Sequence, residues 1–417
     1  MRRLRYFLRC ALLLALASVG AARGLETISA AQPAATGRPI LILVSIDGWR
    51  WDYLSRFAPP ALSTLAAHGV LSEGLIPSFP SKTFPNHYTI VTGLYPGRHG
   101  IVSNTMRDPV LPGLFSLSND TVQQDTRWWG GVPLWVTAEQ QGQIAATMFW
   151  PGSDVEIAGD RATQWRKFDS KVSNNERVDQ ILAWLRQPSA ARPTFYTLYF
   201  EEIDDAGHDF GPDSPEMRPA VEHVDQVMAR LARGLEAAGV SARTNLVVVS
   251  DHGMAHNAHD RVIFLEDYVP PAAVEVIDWS PVLGVAPRTG SVDQLYQALR
   301  DKHPALKVFK SQDLPAHYRL AGHARYPPLI GIADDGWEIT TRERLARDKN
   351  RLGGNHGYDP INQSMHGLFI ATGPAFREGM KVPRFENVHV YELLCRVLGI
   401  RPEPNDGDPK VTAAFFR

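Results

Sequence analysis

The sequence predicts an α/β fold: a mostly parallel central sheet with helices on both faces, carrying a small α+β insertion or cap. Three observations lead there. Continuous apolar runs alternate with amphipathic helical stretches, the pattern of strand–helix–strand units whose sheet is buried on both sides. Acidic residues close several of those runs. One stretch, from about residue 262 to residue 339, breaks the alternation.

The elements follow in chain order. Residues 1–22, "MRRLRYFLRCALLLALASVGAA", hold four arginines, a short apolar run and small residues, which is the plan of a signal peptide. The run is too short for a stable membrane anchor, because a span needs about 20 apolar residues. Arginine precedes Cys10, so it does not read as a lipid-attachment site. Residues 23–38 read as an exposed leader, and residues 39–417 as a single domain. "ILILVSID" (40–47) reads as a buried strand, and "PALSTLAAHG" as a helix opened by Pro60. Residues 145–150, 194–200 and 245–251 read as further strands. "NNERVDQILAWL" is helical, with Val178, Ile181, Leu182 and Leu185 on one face. A long helix ends at Gly239, and near the end come the strand "GLFIATG" and the helix "VHVYELLCRVLG".

The chain has 417 residues, 44% hydrophobic and 21% charged, which leaves ample material for a core. Loss of the four leader arginines would move the formal charge from −2 to −6. No lysine- and arginine-rich face is then expected, and binding to nucleic-acid duplexes is disfavoured. Cys395 would be the one remaining cysteine, which excludes an intrachain disulfide and thiolate metal sites. An exported chain without disulfides fits a periplasmic or secreted protein, the bacterial periplasm best.

Asp47, Asp204 and Asp251 follow three of the apolar runs. Open α/β sheets place ligands at the carboxyl ends of their strands, so these aspartates can meet in space. Each alone reads equally well as a cap of the next helix or turn. Together they would repel one another unless a cation neutralised them. His208 lies four residues after Asp204, His252 follows Asp251, and His356 sits in the glycine-rich "GGNHGY". This nitrogen and oxygen set suits two zinc ions, each leaving an open position. His256, His259 and Asp260 are surplus and read as facing water. Glu201, Glu202 and Asp205 crowd Asp204, while His87, His99 and His366 read as structural.

"PSFPSKTFPNHYTIVTG" places Thr83 ahead of a helix opened by Pro85. Thr83 reads either as a cap or as a nucleophile. A metal-bound hydroxyl has its pKa lowered by several units, as for zinc-bound water near pH 7, so a dimetal site favours the nucleophile.

"VSIDGWRWDYL", "PSFPSKTFPNHYTIVTGLYPGRHGIVSN", "WPGSDVEI", "DDAGHDFGP", "VVVSDHGM" and "GGNHGYD" resemble the nucleotide pyrophosphatase/phosphodiesterase family of the alkaline phosphatase superfamily, in a bacterial form with the catalytic domain alone. The resemblance runs from about residue 40 to residue 400. It implies two Zn2+, one held by Asp204, His208 and His356 and the other by Asp47, Asp251 and His252, with Thr83 as attacking oxygen. It implies that the Asn104 amide binds a phosphate oxygen beside the backbone N–H near Thr83. It also implies a nucleobase slot at Phe84, Trp150, Pro151, Phe168 and Tyr199, with Phe168 where nucleotide-binding members often have tyrosine. Asp154 would touch the base through water. The expected substrate is a nucleotide or nucleotide derivative, cleaved to a nucleoside 5′-monophosphate through a threonyl ester.

Three other functions compete. A phosphomonoesterase of the same superfamily would place an arginine on the phosphate. A choline-type lipid-headgroup phosphodiesterase would need an anionic, aromatic cage, for which Glu73 and Asp125 are candidates. A periplasmic zinc- or nucleotide-binding protein without turnover would need no hydroxyl at position 83.

Overall fold

The computed structural model describes residues 37–258, 260–347 and 353–417. The expected signal peptide, most of the leader and His259 lie outside the described residues.

Eight strands form the main sheet: β1 (Ile40–Ile46), β2 (Gly69–Ser72), β3 (Ala145–Met148), β4 (Gln164–Arg166), β5 (Phe195–Phe200), β6 (Thr244–Val249), β7 (Phe369–Thr372) and β8 (Met380–Val382). Their spatial order is β8-β2-β7-β6-β1-β5-β3-β4. All neighbouring pairs are parallel except the two made by β7. The class matches the alternation in the sequence.

β1 is the centre of the sheet, and Val44 lies opposite Leu198 of β5 and Val248 of β6. All seven of its residues are buried. Alternate side chains point to opposite faces, so Leu41 and Leu43 join one hydrophobic cluster while Ile40, Ile42, Val44 and Ile46 join the other. Each such side chain stabilises the fold by about 1.5–3 kcal/mol.

The helices that matter are α1 (Pro60–Ala67), α2 (Thr83–Thr92), α3 (Asn174–Leu185), α4 (Glu202–Phe210), α5 (Met217–Ala237) and α6 (Val390–Leu398). Helix α6 packs into the cluster on one face, and α1, α3 and α5 into that on the other. Helix α3 starts with a reciprocal capping box between Ser173 and Glu176, a device worth about 1 kcal/mol.

Residues 262–340 contain the second architecture. Strands Val274–Asp278, Val282–Pro287, Leu329–Ala333 and Leu306–Lys310 form an antiparallel sheet in that order. Helix Val292–Leu299 covers it through Leu295 and Leu299, which pack in one cluster with Leu283 and Val285. Ser291 caps this helix, its side chain accepting the Gln294 N–H. Val282, Ile330 and Ile332 contribute to the cluster on the α6 face of the main sheet.

Candidate active site

Three parallel neighbours deliver the three aspartates. Asp47 follows β1, and its N–H donates to the Phe200 carbonyl at the end of β5 (2.9 Å). Asp251 lies two residues past β6, and Asp204 lies in the first turn of α4, just after β5. Gly48 makes the approach possible: its φ is +68°, and a Cβ there would stand 2.8 Å from the Asp204 Cα. Asp47 and Asp251 are buried. Asp47 Oδ1, Asp204 Oδ1 and Asp251 Oδ2 accept no hydrogen bond. Buried carboxylate oxygens in that state are costly unless a cation reaches them.

The three histidines share one arrangement. The Nδ1–H of His208 donates to the Gly354 carbonyl (3.0 Å), that of His252 to the Gly253 carbonyl (2.9 Å), and that of His356 to the Ser81 carbonyl (2.9 Å). A carbonyl only accepts, so Nδ1 carries a proton in all three and Nε2 is the nitrogen left for a ligand. Each Nε2 faces carboxylate: His252 lies 2.9 Å from Asp251 Oδ2 and 3.4 Å from Asp47 Oδ1, His208 lies 3.4 Å from Asp204 Oδ2, and His356 lies 3.6 Å from Asp204 Oδ1. The ligand atoms of Asp204, His252 and His356 all lie within 4.8 Å of one another, as do those of Asp47, His87 and Asp251. His252 therefore touches both halves of the cluster, and its ring stacks on His356 with centroids 3.5 Å apart.

His87 is close to Asp251, with Nδ1 3.3 Å from Oδ2. Both its nitrogens are nevertheless engaged, Nδ1 with the Thr83 carbonyl (2.9 Å) and Nε2 with Ser45 Oγ (2.8 Å). It tethers the start of α2 to β1, in keeping with a structural reading.

The electrostatics follow from crowding. Burial pushes the Asp47 carboxyl well up, and the charges of Asp251 and Asp204 push the same way. Burial also acts upward on Asp251, but His252 and His87 outweigh it and hold Asp251 well below the usual carboxylate range. His356 is driven well down by burial and by His252 and His208 beside it. A neutral His356 keeps its lone pair, which a metal ligand requires.

Thr83 is the first residue of α2, and the cap position belongs to Lys82, whose side chain makes no capping bond. The cap reading of Thr83 is thus replaced by a residue inside the first turn, where free N–H groups and the helix dipole favour anions. Its hydroxyl lies 3.4 Å from His252 Nε2. Asn104 Oδ1 accepts the Phe84 N–H (2.9 Å). The side-chain oxygen is committed, so the Nδ2 end is the donor left for a ligand.

A cavity of about 360 Å³ joins these groups to the aromatic residues. Asp47, Thr83, Phe84, Trp150, Pro151, Phe168, Tyr199 and Asp204 all line it, while Asn104 is not among its walls. Trp150 is buried, and its Nε1–H donates to the His87 carbonyl (3.0 Å). The Tyr199 hydroxyl donates to Asp47 Oδ2 (2.7 Å). Phe168 is 50% exposed and sits edge-on to Phe149 and Tyr199. Asp154, also on the wall, accepts from the Gln124 side chain (2.9 Å).

The crowd around Asp204 separates by partner. Glu201 forms a two-pronged ion pair with Arg177, a buried residue. Glu202 binds Asn174 (2.8 Å) and His223 (2.7 Å). Asp205 lines the cavity, and burial with the neighbouring charges of Asp204 and Glu201 raises it to about 6. His256 and Asp260 are exposed. His99 and His366 bond to Thr89 and to the Pro360 carbonyl, and neither lines the cavity. Nor do Glu73 and Asp125. Six wall residues escaped the sequence reading: Leu117, Asp120, Gln123, Gly152, Lys167 and Ser170. Asp120 and Gln123 bound a four-residue helix too short to show a period, and the others lie in loops and turns.

The donor set fits a divalent cation. It offers imidazole nitrogens of fixed tautomer, carboxylates with orphaned oxygens, and no thiolate.

Comparison with known proteins agrees. The model of a family described as type I phosphodiesterase / nucleotide pyrophosphatase matches residues 41–359. Human ectonucleotide pyrophosphatase/phosphodiesterase family member 5 is 36% identical over 387 residues, covering 93% of this chain and 79% of its own. Bis(5′-adenosyl)-triphosphatase enpp4 of Mus musculus is 38% identical over 374 residues, covering 88% and 79%. The solved structure of murine ectonucleotide pyrophosphatase/phosphodiesterase 5, an inactive threonine-to-alanine form in complex with AMP, aligns with a TM-score of 0.87 at 35% identity. That alignment covers 91% of this chain and 100% of the other.

Proposed function

The chain belongs to the type I phosphodiesterase/nucleotide pyrophosphatase family of enzymes, and from that premise we propose a zinc-dependent hydrolase that cleaves phosphodiester or pyrophosphate bonds of nucleotides and releases nucleoside 5′-monophosphates. The observation that carries this reading is the position of the Thr83 hydroxyl. It opens a helix, lies 3.4 Å from His252 Nε2, and faces one cavity with two of the aspartates and the aromatic walls.

Two zinc ions held by Asp47, Asp251 and His252 and by Asp204, His208 and His356 would supply Lewis acidity to the hydroxyl and to the phosphate oxygens. Thr83 Oγ1 attacks phosphorus in line, the bond to the leaving alcohol or phosphate breaks, and a threonyl phosphoester forms. Asn104 donates from Nδ2 to a phosphoryl oxygen as negative charge grows there. Water then cleaves the Oγ1–P bond and restores the hydroxyl. Phe84 and Phe168 flank the base, Trp150 and Pro151 close the slot, and Tyr199 holds Asp47. The activity for which the triphosphatase relative is named and the AMP complex of the murine protein support a nucleoside at this end of the substrate. The expected signal peptide, residues 1–22, supports a periplasmic or secreted enzyme, which sequencing of the mature amino terminus checks.

The experiment is a three-way comparison of para-nitrophenyl esters of thymidine 5′-phosphate, of phosphate and of phosphocholine, with and without chelator. The nucleotide ester should turn over fastest, with activity lost on chelation and restored by zinc. Faster turnover of the phosphate monoester or of the phosphocholine ester would replace this reading with that activity. No turnover of any ester by the zinc-loaded protein would leave a binding protein.

A further inference from the structure

The small antiparallel sheet reaches the site through one carboxylate. Asp278 ends the strand Val274–Asp278. Its Oδ2 lies 2.7 Å from Lys82 Nζ and also accepts the Ser103 hydroxyl. Lys82 immediately precedes Thr83, and Ser103 immediately precedes Asn104. One oxygen atom thus ties together the neighbours of the attacking hydroxyl and of the phosphate-binding amide.

Local structure shows how the carboxylate is aimed. The pairing of its strand with Val282–Pro287 shifts register between Val276 and Asp278, and a bulge of this kind redirects a side chain. Opposite Asp278 stands Gly284, where a Cβ would lie 2.6 Å from the Pro327 ring and 3.4 Å from the Asp278 Cβ. Lys82 is buried and its partner partly so, at 6% and 13% side-chain exposure. The metal-ligand loop also touches the lysine: a Cβ on Gly357, next to His356, would meet Lys82 Cε at 3.2 Å. Arg325, between the last two strands of this region, donates to Asp108 Oδ2 and to the carbonyls of Gly100, Arg127 and Trp128. The segment that carries Asn104 is therefore held on both sides.

We infer that Asp278 is a positioning residue, which sets the distance between the Thr83 hydroxyl and the Asn104 amide by binding Lys82 and Ser103 at once. The inference rests on the roles proposed above for Thr83 and Asn104. It gives the 262–340 region a task in the reaction: alignment of nucleophile and phosphate donor from outside the main sheet.

The test uses the whole zinc-loaded protein and the para-nitrophenyl ester of thymidine 5′-phosphate. Asp278→Ala should lower kcat by roughly 10–100-fold, the scale on which small misplacements act, with KM within about threefold of the parent. Removing the carboxylate leaves a buried lysine unpaired, and that variant can fail to fold. The double variant Lys82→Met/Asp278→Asn removes both charges and keeps an acceptor for Ser103. It should regain the parent Tm while kcat stays several-fold or more below the parent, because a methionine makes no tie to the Thr83 side. Ser103→Ala, which frees only the Asn104 side, should lower kcat several-fold at unchanged Tm. A folded Asp278→Ala with parental kcat, or a loss in every variant that merely follows the unfolded fraction, overturns the inference. Failure of the function itself looks different: the parent protein would then be inactive, or Thr83→Ala would be fully active.

Discussion

The ligand cluster and the aromatic slot share one cavity and are built to different standards. In the cluster every imidazole is fixed from behind by a backbone carbonyl, and the carboxylates come from adjacent parallel strands. Little can shift without breaking the sheet. In the slot, Trp150 and Tyr199 are fixed by hydrogen bonds to His87 and Asp47, whereas Phe168 is half exposed and held only by ring contacts and an arginine. On the proposed function, chemistry is housed in the rigid part and substrate choice in the adaptable part. A site divided this way can change what it binds without disturbing how it reacts.

Four substitutions probe that division, from the greatest effect downwards. Thr83→Ala should cost about 10³-fold or more in turnover, while bound zinc, measured on the purified protein, stays at the parent level. Retained turnover would erase the assignment of chemistry to the cluster side. Asn104→Ala should lower kcat by about 10²–10³-fold with little change in KM. A change confined to KM would move Asn104 to the slot. Tyr199→Phe separates the two functions of one side chain. Its ring still lines the slot, but the bond to Asp47 is gone, so zinc affinity by chelator titration should fall by about 10–100-fold at an unchanged KM. Phe168→Ala should raise KM for the nucleotide ester by only about 5–10-fold, the low end for a stacked base at an exposed ring. The KM for bis(para-nitrophenyl) phosphate, which has no base, should stay put. Equal effects on both substrates would mean that the ring shapes the pocket and does not read the base.

The sheet centre was legible because its strands are continuous apolar runs, and the aspartates because they end those runs. The edge strands Gln164–Arg166 and Met380–Val382 are too short to display a period, and the sequence gives no sign of them. The metal-ligand candidates stood out as types, Asp and His beside glycine, but Asp204 could be preferred over Glu201 and Glu202 only by its spacing to His208. The structure supplies the stronger reason, since both glutamates already have cationic or amide partners far away in the chain. Lys82 lay in plain view between Ser81 and Thr83. Its partner Asp278 is 196 residues distant, and a pairing at that separation leaves no local trace.

Leu41 pairs with Phe195, and Ile40 with Thr244. The three carboxylates therefore come together only after segments about 150 and 200 residues apart have zipped along β1. Closing such long loops is slow and entropically costly. A metal ion cannot seed the folding of this chain, because its candidate ligands are scattered until the sheet is complete; it can only trap the finished state, adding stability that grows with the logarithm of the free ion concentration.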